Sequence, residues 1–149
     1  MKRRMLALLL SVSMLMTVFC VSPVSAAAEA GAGAPADAQV VQAPETDLQL
    51  RFWLEEGKPY YDVVSSGETL IEPSAMGLKT SIGEFNNGFT MGTVETSSGD
   101  ETWSPVVGEQ AEIRDYYEQA SIVLEHITGI DITVELRAYD TGVAFRYLL

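Results

Sequence analysis

The 149 residues carry 21 acidic and nine basic side chains, a formal net charge of −12, and just under half of them are hydrophobic. So acidic a balance argues against DNA, RNA or an anionic membrane surface as partner, because phosphate recognition needs clustered Lys and Arg. One cysteine excludes an internal disulfide or a cysteine-built metal site, and one histidine leaves at most a single place for a Ser-His-Asp triad.

The chain opens as an export signal. Lys2, Arg3 and Arg4 form the charged start, Met5 to Val21 form a 17-residue apolar run, and Val24-Ser25-Ala26 supplies the small-residue cleavage pattern. Residues 1–26 are therefore expected to be a signal peptide cut after Ala26, and the protein to be secreted or periplasmic. An uncleaved anchor is the rival reading, since the run falls just below the length that spans a bilayer, about 20 residues. A lipid anchor on Cys20 is disfavoured by bulky Phe19 before it. Cleavage removes three basic residues and no acidic one, leaving −15 on the mature chain and no thiol at all. No membrane contact is expected after it.

Residues 27–45 read as a flexible spacer of Ala, Gly and Pro, too poor in large apolar groups to offset the entropy of ordering. Val40-Val41 beginning an edge strand is the alternative. The folded part is expected over residues 46–149, enough for one small core. Leu48, Leu50, Phe52 and Leu54 alternate with Gln49, Arg51, Trp53 and Glu55, the period of a half-buried strand. Glu55-Glu56-Gly57 turns the chain into Lys58 to Ser65, and Ser65-Ser66-Gly67 turns it again. Thr69 to Glu72 is a short strand stopped by Pro73.

Gly77 to Ile82 predicts a strand, Gly83 to Gly88 a loop whose Asn86-Asn87-Gly88 has the hairpin signature, and Phe89 to Ser98 a further strand. The stretch from Asp100 to Glu118, DETWSPVVGEQAEIRDYYE, breaks the pattern by packing aromatics, Pro105, Gly108 and both signs of charge together. Trp103-Ser104-Pro105 should be extended or turning, and a two-faced strand is expected from Glu109 onward. Ile122 and Leu124 alternate next, then Ile132, Val134, Leu136 and Ala138, and after Asp140-Thr141-Gly142 come Val143, Phe145 and Tyr147. No window outside the signal keeps helical spacing. Short strands with turns near every ten residues indicate an all-β, antiparallel sandwich or barrel.

The order and spacing of several short motifs resemble the N-terminal domain of glycoside hydrolase family 97. They are Gly57-Lys58-Pro59-Tyr60-Tyr61, Glu72-Pro73-Ser74, Gly77-Leu78, Asp100-Glu101-Thr102-Trp103, Pro105-Val106, Gly108-Glu109, Ile113-Arg114, Tyr117 and Asp140 to Tyr147, spread over residues 46–149. The resemblance implies an antiparallel β-sandwich of the galactose-mutarotase-like type, an incomplete super-sandwich followed in the family by a catalytic (β/α)8 barrel. With the last expected strand still running at Leu149, it implies the front part of a longer exported hydrolase of α-linked glucosides or galactosides. The expected partners are that barrel and an α-linked oligosaccharide.

A glycosidase needs two opposed carboxylates, and the resemblance puts them in the barrel. No catalytic or metal-binding role is therefore assigned to any residue here. The family's calcium is expected to take its ligands outside this segment, so no cofactor is expected in the chain. Asp100, Glu101 and Glu109 could converge as a carboxylate site, but an acidic loop is more often merely solvated. Three residues are candidates for facing the barrel or touching sugar: Trp103, Glu109 and Arg114. Trp103 either stacks on a sugar or plugs the sandwich edge below Pro105, and Glu109 and Arg114 are expected to form an ion pair between neighbouring strands. His126, inside a strand-like run, is expected to be packed or surface-lying. A free-standing carbohydrate-binding module and an inactive fragment are the alternative readings.

Overall fold

A computed structural model describes residues 33–149; the expected signal peptide and Cys20 lie outside them. The described residues form strands and turns without a helix. The first sheet holds β1 (Gln39–Gln42), β2 (Gln49–Glu55), β3 (Lys58–Ser65) and β4 (Glu68–Ala75), in that order and antiparallel. The second holds β7 (Phe89–Trp103), β8 (Ile113–His126), β9 (Asp131–Tyr139) and β10 (Gly142–Leu148), ordered β10-β9-β8-β7. Between them β5 (Leu78–Thr80) and β6 (Gly83–Phe85) make a small two-stranded ribbon.

The turns follow local chemistry. Glu56-Gly57 and Ser66-Gly67 both lie at positive φ (50° and 76°, 50° and 81°) between directly paired strand ends. That is the two-residue hairpin whose twist matches the strands it joins, and glycine takes the second position at no steric cost.

One core joins the two sheets. Leu50, Phe52 and Val63 of the first meet Ile122, Leu124, Ile132, Val134 and Leu136 of the second, all at or below 3 % exposure. Each such side chain contributes roughly 1.5–3 kcal/mol through burial. The alternation of β9 is complete, with Ile132, Val134, Leu136 and Ala138 buried and their neighbours partly exposed.

Several elements depart from the expectations. Gln39–Gln42 pairs with β2 inside the stretch read as spacer, so the folded part begins before Thr46. Its Val41 lies over the core at 5 % exposure, and four residues of ladder suffice to hold it there. On β2 the supposed water side is buried as well. Arg51 sits opposite Asp62 and donates to it from Nε at 2.7 Å, while Trp53 sits opposite Tyr60 with the rings stacked at 5.9 Å. Cross-strand partners thus satisfy a face that alternation alone assigned to solvent.

β4 runs through Pro73 rather than stopping at it. It is an edge strand, and its register slips between Val63 and Tyr61 of β3, which spares the proline a ladder bond. The Gly77 to Ile82 strand is cut to Leu78–Thr80, and Gly83–Phe85, read as loop, pairs back on it. Ile82 is left 65 % exposed in the turn. Asn86-Asn87-Gly88 consequently carries the chain from the ribbon into the second sheet instead of closing a hairpin.

Candidate functional site

The hairpin of β7 and β8 is longer than the sheet that supports it. Pairing of β8 with β9 ends at Glu118 opposite Ala138, whereas pairing of β7 with β8 continues to Trp103 opposite Ile113. The last five residue pairs, from Gly99 opposite Tyr117 onward, therefore form a two-stranded arm. Residues 104–112 cap it as a loop, so the strand expected from Glu109 begins four residues later, at Ile113. Pro105 and Gly108, at φ 159°, lie in that loop, where Val106 and Val107 are almost wholly exposed.

β7 also continues past Ser98, the expected end of the strand, and runs through Gly99 and Asp100 to Trp103. Gly99 is there for a steric reason. A Cβ on it would lie 2.6 Å from the Tyr117 ring, so the missing side chain makes room for that ring across the strand.

The three candidate residues are placed apart. Trp103 and Ile113 share one face of the arm, while Thr102 and Arg114 share the other. Trp103 is 53 % exposed, which overturns the packing reading: it plugs nothing. Glu109 lies in the loop and makes no hydrogen bond or ion pair with a described residue. The expected ion pair exists with a different partner. Arg114 donates from Nε and Nη2 to both carboxylate oxygens of Asp100 at 2.7 and 2.8 Å, lies 4.1 Å over the Tyr116 ring, and comes within 3.7 Å of Glu45. A fork meeting a carboxylate in two bonds is the strong form of such a pair.

The hydrogen bonds from Arg114 hold the Asp100 carboxyl below its usual range, and the same bonds raise the guanidinium further above its own. Glu45 in turn gives its backbone N–H to Asp140 Oδ1 at 2.8 Å, which ties the β1–β2 loop to the β9–β10 turn beside the arm.

The carboxylates considered as a metal site do not converge. Asp100 is engaged by Arg114, Glu101 faces the opposite side of the strand, and Glu109 is in the loop. Among the described residues, no group of three or more His, Cys, Asp or Glu is placed to hold a metal ion. His126 is structural. It lies edge-on between Phe85 and Phe89, its Nε2 2.9 Å from the Asn87 carbonyl and its Nδ1 2.7 Å from the Thr128 hydroxyl. Nε2 therefore carries the proton, and Nδ1 accepts.

A second cluster went unread in sequence. On the outer face of the second sheet, Arg137 lies 4.0 Å over the Tyr117 ring, donates from Nε to Gln119 Oε1 at 2.7 Å and reaches the Tyr139 hydroxyl at 3.4 Å. Tyr117 and Tyr139 meet at 5.6 Å. The signal was available, because Tyr117 and Gln119 on β8, and Arg137 and Tyr139 on β9, occupy the positions that alternate with the buried ones.

The chain matches known proteins throughout its described part. Residues 41–149 match the family model described as glycosyl-hydrolase 97 N-terminal. A "probable retaining alpha-galactosidase" of Streptomyces bingchenggensis (strain BCW-1) is 28 % identical over 99 % of this chain and 23 % of its own length. A glycoside hydrolase family 97 enzyme in complex with acarbose, from Pseudoalteromonas sp. strain K8, superposes with a TM-score of 0.68 at 26 % identity, covering 73 % of this chain and 17 % of its own. A beta-arabinopyranosidase superposes at 0.70 with 29 % identity, over 74 % of this chain and 18 % of its own. The chain thus spans about a quarter or less of the proteins it resembles.

Proposed function

The chain belongs to the glycosyl-hydrolase 97 N-terminal family, and from that premise we propose that it is the non-catalytic β-sandwich part of an exported glycoside hydrolase. In this reading it packs on a catalytic barrel of the same parent protein, shapes the rim of the active site and helps to hold an α-linked glucoside or galactoside. Calcium belongs to the barrel side of that assembly.

The observation that carries the proposal is the match over residues 41–149 to a segment that, in relatives, is joined to a body several times longer. Two of the relatives are named for an alpha-galactosidase and a beta-arabinopyranosidase, which supports a glycoside as the ligand of the parent protein. The arm supports the same reading. Trp103, Val106 and Val107 present an apolar tip to solvent, which suits burial against another body better than an isolated domain.

The test is an assay of the purified chain on aryl α-glucosides and α-galactosides. No hydrolysis is expected; turnover that survives removal of every contaminating hydrolase would overturn the non-catalytic assignment. A reading frame past Leu149 without a carboxylate-bearing barrel would favour a free-standing carbohydrate-binding module instead.

A further inference from the structure

We infer that the outer face of the second sheet carries a sugar-binding platform of its own, centred on Arg137 and Tyr139 and supported by Tyr117 at the foot of the arm. The inference rests on the proposed carbohydrate-handling role and gives it a location.

Three features make the cluster a site rather than decoration. First, it is preorganised. Gly99 leaves the space that the Tyr117 ring fills, and Arg137 is clamped between that ring, Gln119 and the Tyr139 hydroxyl. Little side-chain freedom is left to lose when a ligand arrives. Second, hydrogen-bonding capacity remains. A guanidinium has five N–H groups, and only Nε and one on Nη1 are taken, by Gln119 and Tyr139. Glu135 accepts at Oε2 from Arg146 Nε and keeps Oε1 unclaimed among the described residues. Third, these groups border a hollow of about 200 Å³ between β9 and β10, whose lining includes Glu135, Arg137, Tyr139 and Arg146.

The chemistry selects the ligand. The Tyr117 ring is covered by Arg137, so the aromatic surface bordering the hollow is that of Tyr139. Beside the donors of Arg137 and the acceptor of Glu135 it suits a ring with one face of C–H bonds and a rim of hydroxyls, which is a pyranoside. Arg146 is paired with Glu135, and Arg137 lies on a face that also carries Asp115 and Glu101, so the face offers no excess of positive charge to attract an anion. The occupant is a neutral hexopyranose unit of an α-linked oligosaccharide, held away from the bond being cleaved.

The experiment is titration of the full chain with maltose and with melibiose, followed by 1H–15N chemical shifts. The expected result is a set of shifts confined to residues 117–119, 135–139 and 144–146. Tyr139→Ala should weaken binding about tenfold, the size of one lost aromatic contact. Glu135→Gln, which keeps the shape of the side chain, should weaken it while leaving the spectrum of the free protein folded, and Ile82→Ala, at an exposed side chain in the ribbon turn, should leave it unchanged. Shifts confined to residues 100–114 would overturn the platform while sparing the proposed sugar-holding role. No shift with either sugar would overturn it too. Neither result bears on the hydrolysis assay, so the two readings fail separately.

Discussion

The β7–β8 hairpin contains two regions with the same backbone pairing and opposite energetics. At its base, the inward positions are Met91, Val94, Ala120, Ile122 and Leu124, which face the first sheet and are buried or half-buried in the common core. At its arm the same face carries Asp100, Thr102, Arg114 and Tyr116, and no opposing layer lies over it. One ladder can thus continue past the end of a core, provided the side chains on it become polar and pair with one another. The base is scaffold; the arm and the outer platform are surface available to partners.

The contrast is broken most severely by deleting core volume at the base. Leu124→Ala, at a side chain 1 % exposed, should cost ~2–5 kcal/mol. Thr102→Ala on the same face of the arm should stay within ~0.5 kcal/mol. Denaturant titration of the two variants checks both. Equal losses would mean that the arm is as tightly packed as the base.

A smaller effect is expected where the two regions join. Gly99→Ala forces a methyl to within 2.6 Å of the Tyr117 ring, and the ring must swing off its place at a cost of ~1–3 kcal/mol. Because Arg137 rests on that ring, near-ultraviolet circular dichroism should change in the tyrosine band while the far-ultraviolet sheet signal persists.

The smallest effect belongs to the ion pair on the arm. The folded-state pKa of Asp100 is depressed by its hydrogen bonds to Arg114. Its contribution is therefore complete above the ordinary carboxylate value of 3.8 and fades as pH falls through the lower folded value. Both side chains are about half exposed and reach water, so the contribution is small. Asp100→Asn should lower the thermal midpoint slightly at neutral pH and remove that part of its acid dependence. A variant that differs slightly from the wild type above the ordinary carboxylate value of 3.8 and converges on it as acid protonates the folded Asp100 is the expected pattern; a difference only in acid would reverse the sign.

Much of the base was legible in sequence because a period of two is enough wherever one face is dry. Ile122, Leu124 and the four alternating residues of β9 lie where the pattern puts them. The failures share a cause, namely residues whose meaning depends on a neighbouring strand. Arg51 reads as solvated until Asp62 is seen across from it, and Pro73 reads as a stop until β4 proves to be an edge. Gly99 has no reading of its own in sequence until the Tyr117 ring appears over it. At the arm, sequence singled out the stretch but not its arrangement. Trp103 is exposed, Arg114 takes Asp100 rather than Glu109, and the two candidates face opposite sides. Residue type gave the chemistry, but only register decides which side chains meet.

Hydrogen exchange along the hairpin of the whole chain tests the division into scaffold and available surface most directly. Amides of residues 120–126 should exchange only through global unfolding, and those of residues 99–103 and 113–117 orders of magnitude faster, through local opening of a ladder with no layer above it. Uniform protection from residue 89 to residue 126 would contradict the account.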